Sequence, residues 1–166
     1  MFGTVTTIGL LTLIFGNEEE THAQSTCIRF SEENRQFLAP LNGSLRGSAD
    51  PTPLGKMPYN IDFKKTSEIK TQGKSPTNGV AVHTWDFWYT DGGILMLDFH
   101  TTFGNSHAKG LCVTLTDAER GYLFSGQPSV PLDIWIKVTH RQSDFIFDAS
   151  IYLHGKPHVA ITSHRE

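Results

Sequence analysis

The sequence predicts an all-β fold, and three observations support it. Glycine and proline are plentiful, with 15 and 8 in 166 residues, and aromatic residues make up 11 % of the chain. Long helical patterns are missing, and several segments alternate apolar and polar residues as half-buried strands do. About seven to nine strands of ordinary length predict an antiparallel β-sandwich or jelly roll with one or two short helical turns. A small closed β-barrel is the alternative.

The clearest element is a β-hairpin in residues 82–100. Asp91-Gly92 lies between two apolar runs, and this dipeptide suits a two-residue type I′ turn. With that loop, His83 faces His100 across the two strands. A loop at Gly92-Gly93 would break this pairing. The pattern alone leaves open which face of the hairpin is buried.

In the first register, three potential metal ligands lie together on the hairpin. His83 and His100 are opposite each other with Asp98 close by, and imidazole and carboxylate groups are ordinary ligands of zinc or copper. We therefore consider a zinc or copper site at these residues, the one cofactor that the sequence suggests. The alternative is that they are polar strand residues, since eight histidines in the chain make a chance arrangement expected.

Four aromatic residues are candidate ligand contacts. Trp85 and Tyr89 lie in the first arm of the hairpin. In residues 132–139 and 145–154, alternation places the apolar residues on one face and Trp135 and Tyr152 on the opposite, solvent-facing side. These four side chains are the predicted ligand-binding residues, and the competing interpretation is core or cross-strand packing.

The first residues have features of a secretion signal. The apolar run at residues 5–16 has the length of a signal-peptide core, and small residues end at Ala23. No basic residue precedes the run and three glutamates follow it, so an ordinary first strand is the alternative. We predict a signal peptide at residues 1–23, a single domain at 24–166, and a secreted, periplasmic or cell-surface location.

The two cysteines, Cys27 and Cys112, fit such a location. In an oxidising compartment they would form one disulfide between the N-terminus and the sheet. A loop of this length stabilises a fold by roughly 4 kcal/mol. The alternative is two buried free thiols.

Composition and motifs exclude several classes of protein. The formal net charge is −3 without a basic run, which argues against nucleic-acid binding. The apolar run at residues 5–16 is too short for a transmembrane helix. The sequence has no Gly-x-Ser-x-Gly, phosphate-loop or His-Glu-x-x-His motif. Asp86 and Asp98 would point to opposite faces in the first register, which argues against a hydrolytic carboxylate pair.

These observations favour binding over catalysis. The leading hypothesis is a secreted adhesin, lectin-like domain or toxin-associated subunit that recognises a glycan or a protein surface. Residues 147–157 are similar to the strand–turn segments of lectin-like sandwiches, and no functional residue is carried over from that similarity. Two alternatives stay open: a metal-assisted enzyme using His83, Asp98 and His100, and a structural subunit whose exposed strands pair with other copies of the chain.

Overall fold

A computed structural model provides the coordinates of this protein. A short 3₁₀ turn at Glu32–Asn34 is the one helical element in the part of the chain that it describes. No helix in that part is long and apolar enough to cross a membrane. The predicted signal peptide lies outside the described residues, which are 26–52, 55–77, 81–102, 106–126, 132–141 and 144–165.

Within these ranges ten strands follow the 3₁₀ turn, and each pairs antiparallel with the next one along the chain. The last strand returns to pair with the first, so the sheet closes into an up-and-down barrel. The strands are β1 (Gly43–Thr52), β2 (Gly55–Ser67), β3 (Lys70–Thr77), β4 (Ala81–Tyr89), β5 (Leu95–Thr101), β6 (Ser106–Asp117), β7 (Gly121–Ser125), β8 (Leu132–Arg141), β9 (Asp144–Leu153) and β10 (Lys156–Arg165).

The prediction of an all-β fold is confirmed, and the alternative architecture, a closed barrel, is the one that forms. A sandwich would leave free strand edges in two sheets. Here β1 and β10 pair over six residues from Leu45↔Arg165 to Asp50↔Ala160. These strands are far apart in sequence, so no local pattern could distinguish closure from two separate sheets.

The interior of the barrel is a packed aromatic and aliphatic core. Side chains alternate inward and outward along each strand, as the sequence predicts for β8 and β9, where Ile134, Ile136 and Phe147 are fully buried. Large rings from several strands meet in the middle. The bulkiest fully buried side chains include Trp85, Tyr59, Phe87, Phe124, Phe145 and Phe147.

The hairpin of β4 and β5 has a different register from both predicted ones. Tyr89 faces Leu95, and the loop is Asp91-Gly92-Gly93, closed by a 2.9 Å hydrogen bond from Gly93 N–H to the Thr90 carbonyl. Gly93 has a φ of 83°, which matches the left-handed third position of a three-residue loop. A Cβ at Gly93 would also collide with the Phe30 carbonyl. This second requirement comes from a distant segment and is not visible locally.

One end of the barrel is closed by residues 26–42, and we call it the plugged end. The predicted disulfide between Cys27 and Cys112 is confirmed. Ile28 N–H then donates to the Val113 carbonyl at 2.7 Å. Farther along, Phe37 is buried against Phe87, with ring centroids 5.5 Å apart. The opposite end, where β4 begins and β5 ends, is called the far end.

Candidate functional site

A cleft of about 1040 Å³ lies at the plugged end, between residues 26–42 and strands β6 to β8. Residues from each of these segments line it. Concave sites with aromatic and a few polar groups are where small ligands usually bind. The residues that matter for its chemistry are Phe30, Gln36, Asp117, Tyr122, Lys137 and His140.

Stacked aromatic rings form the floor of this cleft. Tyr122 of β7 stacks on Phe30 at 5.7 Å and on Phe37 at 5.3 Å between ring centroids. Burial raises the pKa of Tyr122 above its ordinary value, so its hydroxyl stays neutral at pH 7. The floor therefore offers an apolar surface with one neutral hydroxyl.

The polar wall of the cleft is held by the tight turn between β6 and β7. Asp117 Oδ1 accepts from Glu119 N–H at 2.9 Å, and Lys137 Nζ donates to the Glu119 carbonyl at 2.6 Å. Gly121 has a φ of 100°, and a Cβ there would collide with the Ile136 carbonyl. The turn and β8 are thus fixed to each other, and a carboxylate and an ammonium group are held beside the aromatic floor.

The far end carries a polar cluster inside the barrel, made by Tyr59, His83 and Trp85. Trp85 Nε1 donates to the Tyr59 hydroxyl at 2.9 Å, and that hydroxyl lies 3.0 Å from His83 Nδ1. The indole can only donate, and the Tyr59 hydroxyl has one hydrogen to give. The hydroxyl therefore links the indole to the imidazole, and its oxygen and hydrogen together can serve Trp85 and either tautomer of His83.

Burial keeps this cluster uncharged. It lowers the pKa of His83 to about 4 and raises the pKa of Tyr59 well above its usual range. The His83 ring also meets Phe99 edge to face, with centroids 5.3 Å apart. At pH 7 both groups are neutral hydrogen-bonding groups within the aromatic core.

The two hairpin aromatics that were candidate ligand contacts face inward. Trp85 is 0 % exposed and Tyr89 is 4 % exposed. Trp85 packs against Phe99 and Phe147, at 4.6 and 5.8 Å between centroids. Both side chains therefore belong to the core, which was the competing interpretation. They lie on the inner face of the barrel, away from the outer surface.

Trp135 and Tyr152 face outward on neighbouring strands, as predicted, and both are half-buried. Asp133 is directly opposite Tyr152, so the two aromatic side chains are diagonal neighbours. Leu123 lies opposite Trp135, and Leu115 next to it is 52 % exposed. The outer wall therefore carries a band of apolar side chains across β6 to β9.

The predicted pairing of His83 with His100 is wrong. His83 is opposite Thr101, and its side chain points into the barrel. His100 is opposite Thr84, and its side chain points outward. The reason is the longer hairpin loop, which shifts the register by one residue. Asp98 instead accepts from Gly110 N–H at 2.7 Å. Among the described residues, no three His, Cys, Asp or Glu side chains are grouped so as to hold a metal.

The same shift changes the relation of Asp86 and Asp98. They are direct cross-strand partners and lie on one face, so the predicted placement on opposite faces is wrong. Asp86 Oδ1 accepts from Gln72 Nε2 at 2.8 Å, and Asp98 accepts from the Gly110 backbone. Each carboxylate is thus engaged by its own donor on the outer wall.

The cleft residues of the plugged end were not recognised from sequence. Residues 31–38 have the pattern of a short capped helix, yet only Glu32–Asn34 form a 3₁₀ turn. One feature of the sequence does point to these residues. Phe30 and Phe37 follow Cys27 closely, and a disulfide from Cys27 to the sheet holds nearby apolar residues against it.

No protein-family model matches the sequence, and no curated protein sequence shows a significant match. Function is therefore inferred from the geometry of the chain itself.

Proposed function

We propose that this protein is a binding module whose ligand, a glycan, occupies the cleft at the plugged end. The observation that carries the proposal is the combination of a volume of about 1040 Å³ with an aromatic floor and polar side chains from three chain segments. Sugar rings have apolar faces and a rim of hydroxyls, and such a cleft is complementary to both.

The polar groups of the cleft favour a neutral or weakly charged sugar. Gln36 supplies an amide that both donates and accepts, Asp117 accepts, and Lys137 donates. The lining includes one acidic residue, Asp117, and one lysine, Lys137, so their charges offset each other. A strongly anionic ligand would gain little from this balance, whereas hydroxyl groups find both kinds of partner.

An oxidising location is part of the proposal. The intramolecular disulfide between Cys27 and Cys112 is consistent with an extracellular, periplasmic or cell-surface protein. Secretion and its predicted signal at residues 1–23 remain predictions. Mass spectrometry of the protein released by its own host would test them, because a mature N-terminus near residue 24 is the expected result.

A protein partner is the second candidate, and the outer apolar band supports it. Leu115, Leu123, Trp135 and Tyr152 present exposed or half-exposed apolar surface on one side of the wall. Aromatic residues are enriched in protein interfaces. In contrast, assembly by strand pairing has little support, because the closed barrel pairs every strand on both sides.

The experiment is a glycan array followed by calorimetric titration of the best-binding sugar. We expect Asn34→Ala combined with Gln36→Ala to weaken binding at least tenfold, since both residues are exposed and line the cleft. Trp135→Ala is the matched control on the outer wall and should bind as the wild type does.

The opposite result, loss in Trp135→Ala and none in the cleft variant, would move the ligand to the outer band. An array without any bound glycan, together with no saturable sugar binding, would refute the glycan proposal.

A further inference from the structure

We propose that His100 and His107 form a binding site for one divalent transition-metal ion on the outer wall of the barrel. The two residues are direct cross-strand partners on β5 and β6. Their rings are stacked, with centroids 3.9 Å apart and planes inclined by 10°. Two imidazoles are thereby held side by side by the sheet itself.

The alternation of the strands sends both rings outward. Phe99 and Ala108, the adjacent residues, are directly opposite each other and are buried in the interior. His107 is exposed and His100 is half-buried. An ion from solution can therefore reach the pair without any opening of the barrel.

The separation of the rings suits a shared ion. Imidazole nitrogens bind zinc at about 2.0–2.1 Å, so two nitrogens on one tetrahedral ion lie roughly 3.3 Å apart. The rings are stacked 3.9 Å apart with nearly parallel planes, so they must turn substantially about their Cβ–Cγ bonds before both nitrogen lone pairs point at one ion. Imidazole pairs suit zinc, nickel and copper, and divalent copper is expected to bind most tightly.

The surroundings make this an open site completed by water. Within the described ranges no third His, Cys, Asp or Glu joins the pair closely enough to complete a set of three. Asp98 lies on the same strand two residues before His100, and its Oδ1 accepts from Gly110 N–H. Lys109, exposed two residues after His107, carries the opposite charge, so the two imidazoles themselves supply the affinity.

The arrangement is specific to this pair. In the part of the chain that the structure describes, no other two histidines face each other across paired strands. His83 contacts Tyr59 inside the barrel, and His140 meets the edge of Phe145. His164 is opposite Ile146. These separate histidines provide natural controls.

The experiment titrates untagged protein with copper chloride and, separately, with zinc chloride by calorimetry. We expect one ion per chain at this site and a higher melting temperature with metal, because a ligand that binds only the folded state stabilises it. His107→Ala and His100→Ala should each weaken binding at least tenfold. The control His164→Ala, at an exposed position, should bind as the wild type does.

An independent readout is the electron paramagnetic resonance spectrum of bound copper, which should show coupling to two imidazole nitrogens in the wild type and to one in His107→Ala. His107 is exposed, so its replacement leaves the core intact, and this variant decides the matter if His100→Ala fails to fold. Unchanged affinity in His107→Ala, or no copper binding by the wild type, would overturn the proposal.

Discussion

The two ends of the barrel are stabilised by different kinds of interaction. At the plugged end, Phe37 and Leu41 of the N-terminal segment fill the barrel with apolar side chains, and the disulfide at Cys27 tethers that segment. At the far end, the interior contains Tyr59 and His83 joined by a hydrogen bond of 3.0 Å. One end therefore depends on apolar burial, and the other on a neutral polar network.

This difference has consequences for adaptability. Apolar packing is sensitive to volume and indifferent to pH, whereas a buried hydrogen-bonded network is sensitive to both the identity and the protonation of its members. The cleft that we propose as the ligand site borders the apolar end, so its floor is expected to keep its shape over a broad pH range.

The largest expected effect is at the plugged end. Phe37→Ala should destabilise the protein by about 3–5 kcal/mol, because it removes a buried ring that contacts Phe87, Tyr122 and Phe124. Urea unfolding monitored by circular dichroism measures the change. Gln36→Ala, at the exposed neighbouring position, should change the free energy of unfolding by less than about 0.5 kcal/mol. A loss below about 1 kcal/mol in Phe37→Ala would mean that the segment is not part of the core.

The plugged end also shows where sequence reasoning succeeds and fails. Strand alternation in β8 and β9 is predictable, because burial on one face leaves a period of two. The Cys27–Cys112 bond follows from there being two cysteines in a chain with signs of export. Phe30 and Phe37 lie in a segment without periodicity, so the signal that they pack under the barrel is their closeness to the tether at Cys27 rather than a repeating pattern.

The hairpin register was the decisive error for the candidate site. A loop of two residues and one of three differ by a single position, and the difference moves His83 from His100 to Thr101. The three-residue loop is favoured by contacts of Gly93 with Phe30, which belongs to a segment more than sixty residues earlier. Pairings that depend on such distant contacts, including His100 with His107, cannot be obtained from the hairpin sequence alone.

The second prediction tests the polar network at the far end. Tyr59→Phe should destabilise the protein by about 2 kcal/mol, because it leaves Trp85 Nε1–H and His83 Nδ1 buried without their partner. Tyr152→Phe removes a hydroxyl from the outer wall and should change stability by less than about 0.5 kcal/mol. Chemical unfolding of both variants measures the contrast. Equal, small losses would show that the hydroxyl of Tyr59 is not a structural element.

The smallest effect is a pH dependence that belongs to the far end alone. Burial holds the pKa of His83 at about 4 in the folded protein, against 6.5 ordinarily. As pH falls from 7 to 5.5, the unfolded chain takes up a proton at this residue and the folded protein does not. The wild type should therefore lose about 1 kcal/mol of stability over this range through His83, and more as the pH approaches 4.

His83→Gln removes this titration while keeping a side-chain oxygen that can accept from the Tyr59 hydroxyl. The free energy of unfolding of His83→Gln should therefore fall by about 1 kcal/mol less than that of the wild type between pH 7 and 5.5. His158→Gln, at an exposed position on β10, should follow the wild type. Parallel curves for the wild type and His83→Gln would mean that the folded protein accommodates a charged His83. Water or a counter-charge would then reach His83 at the far end. The two ends of the barrel would differ in how far solvent enters them, and not in how their interiors are packed.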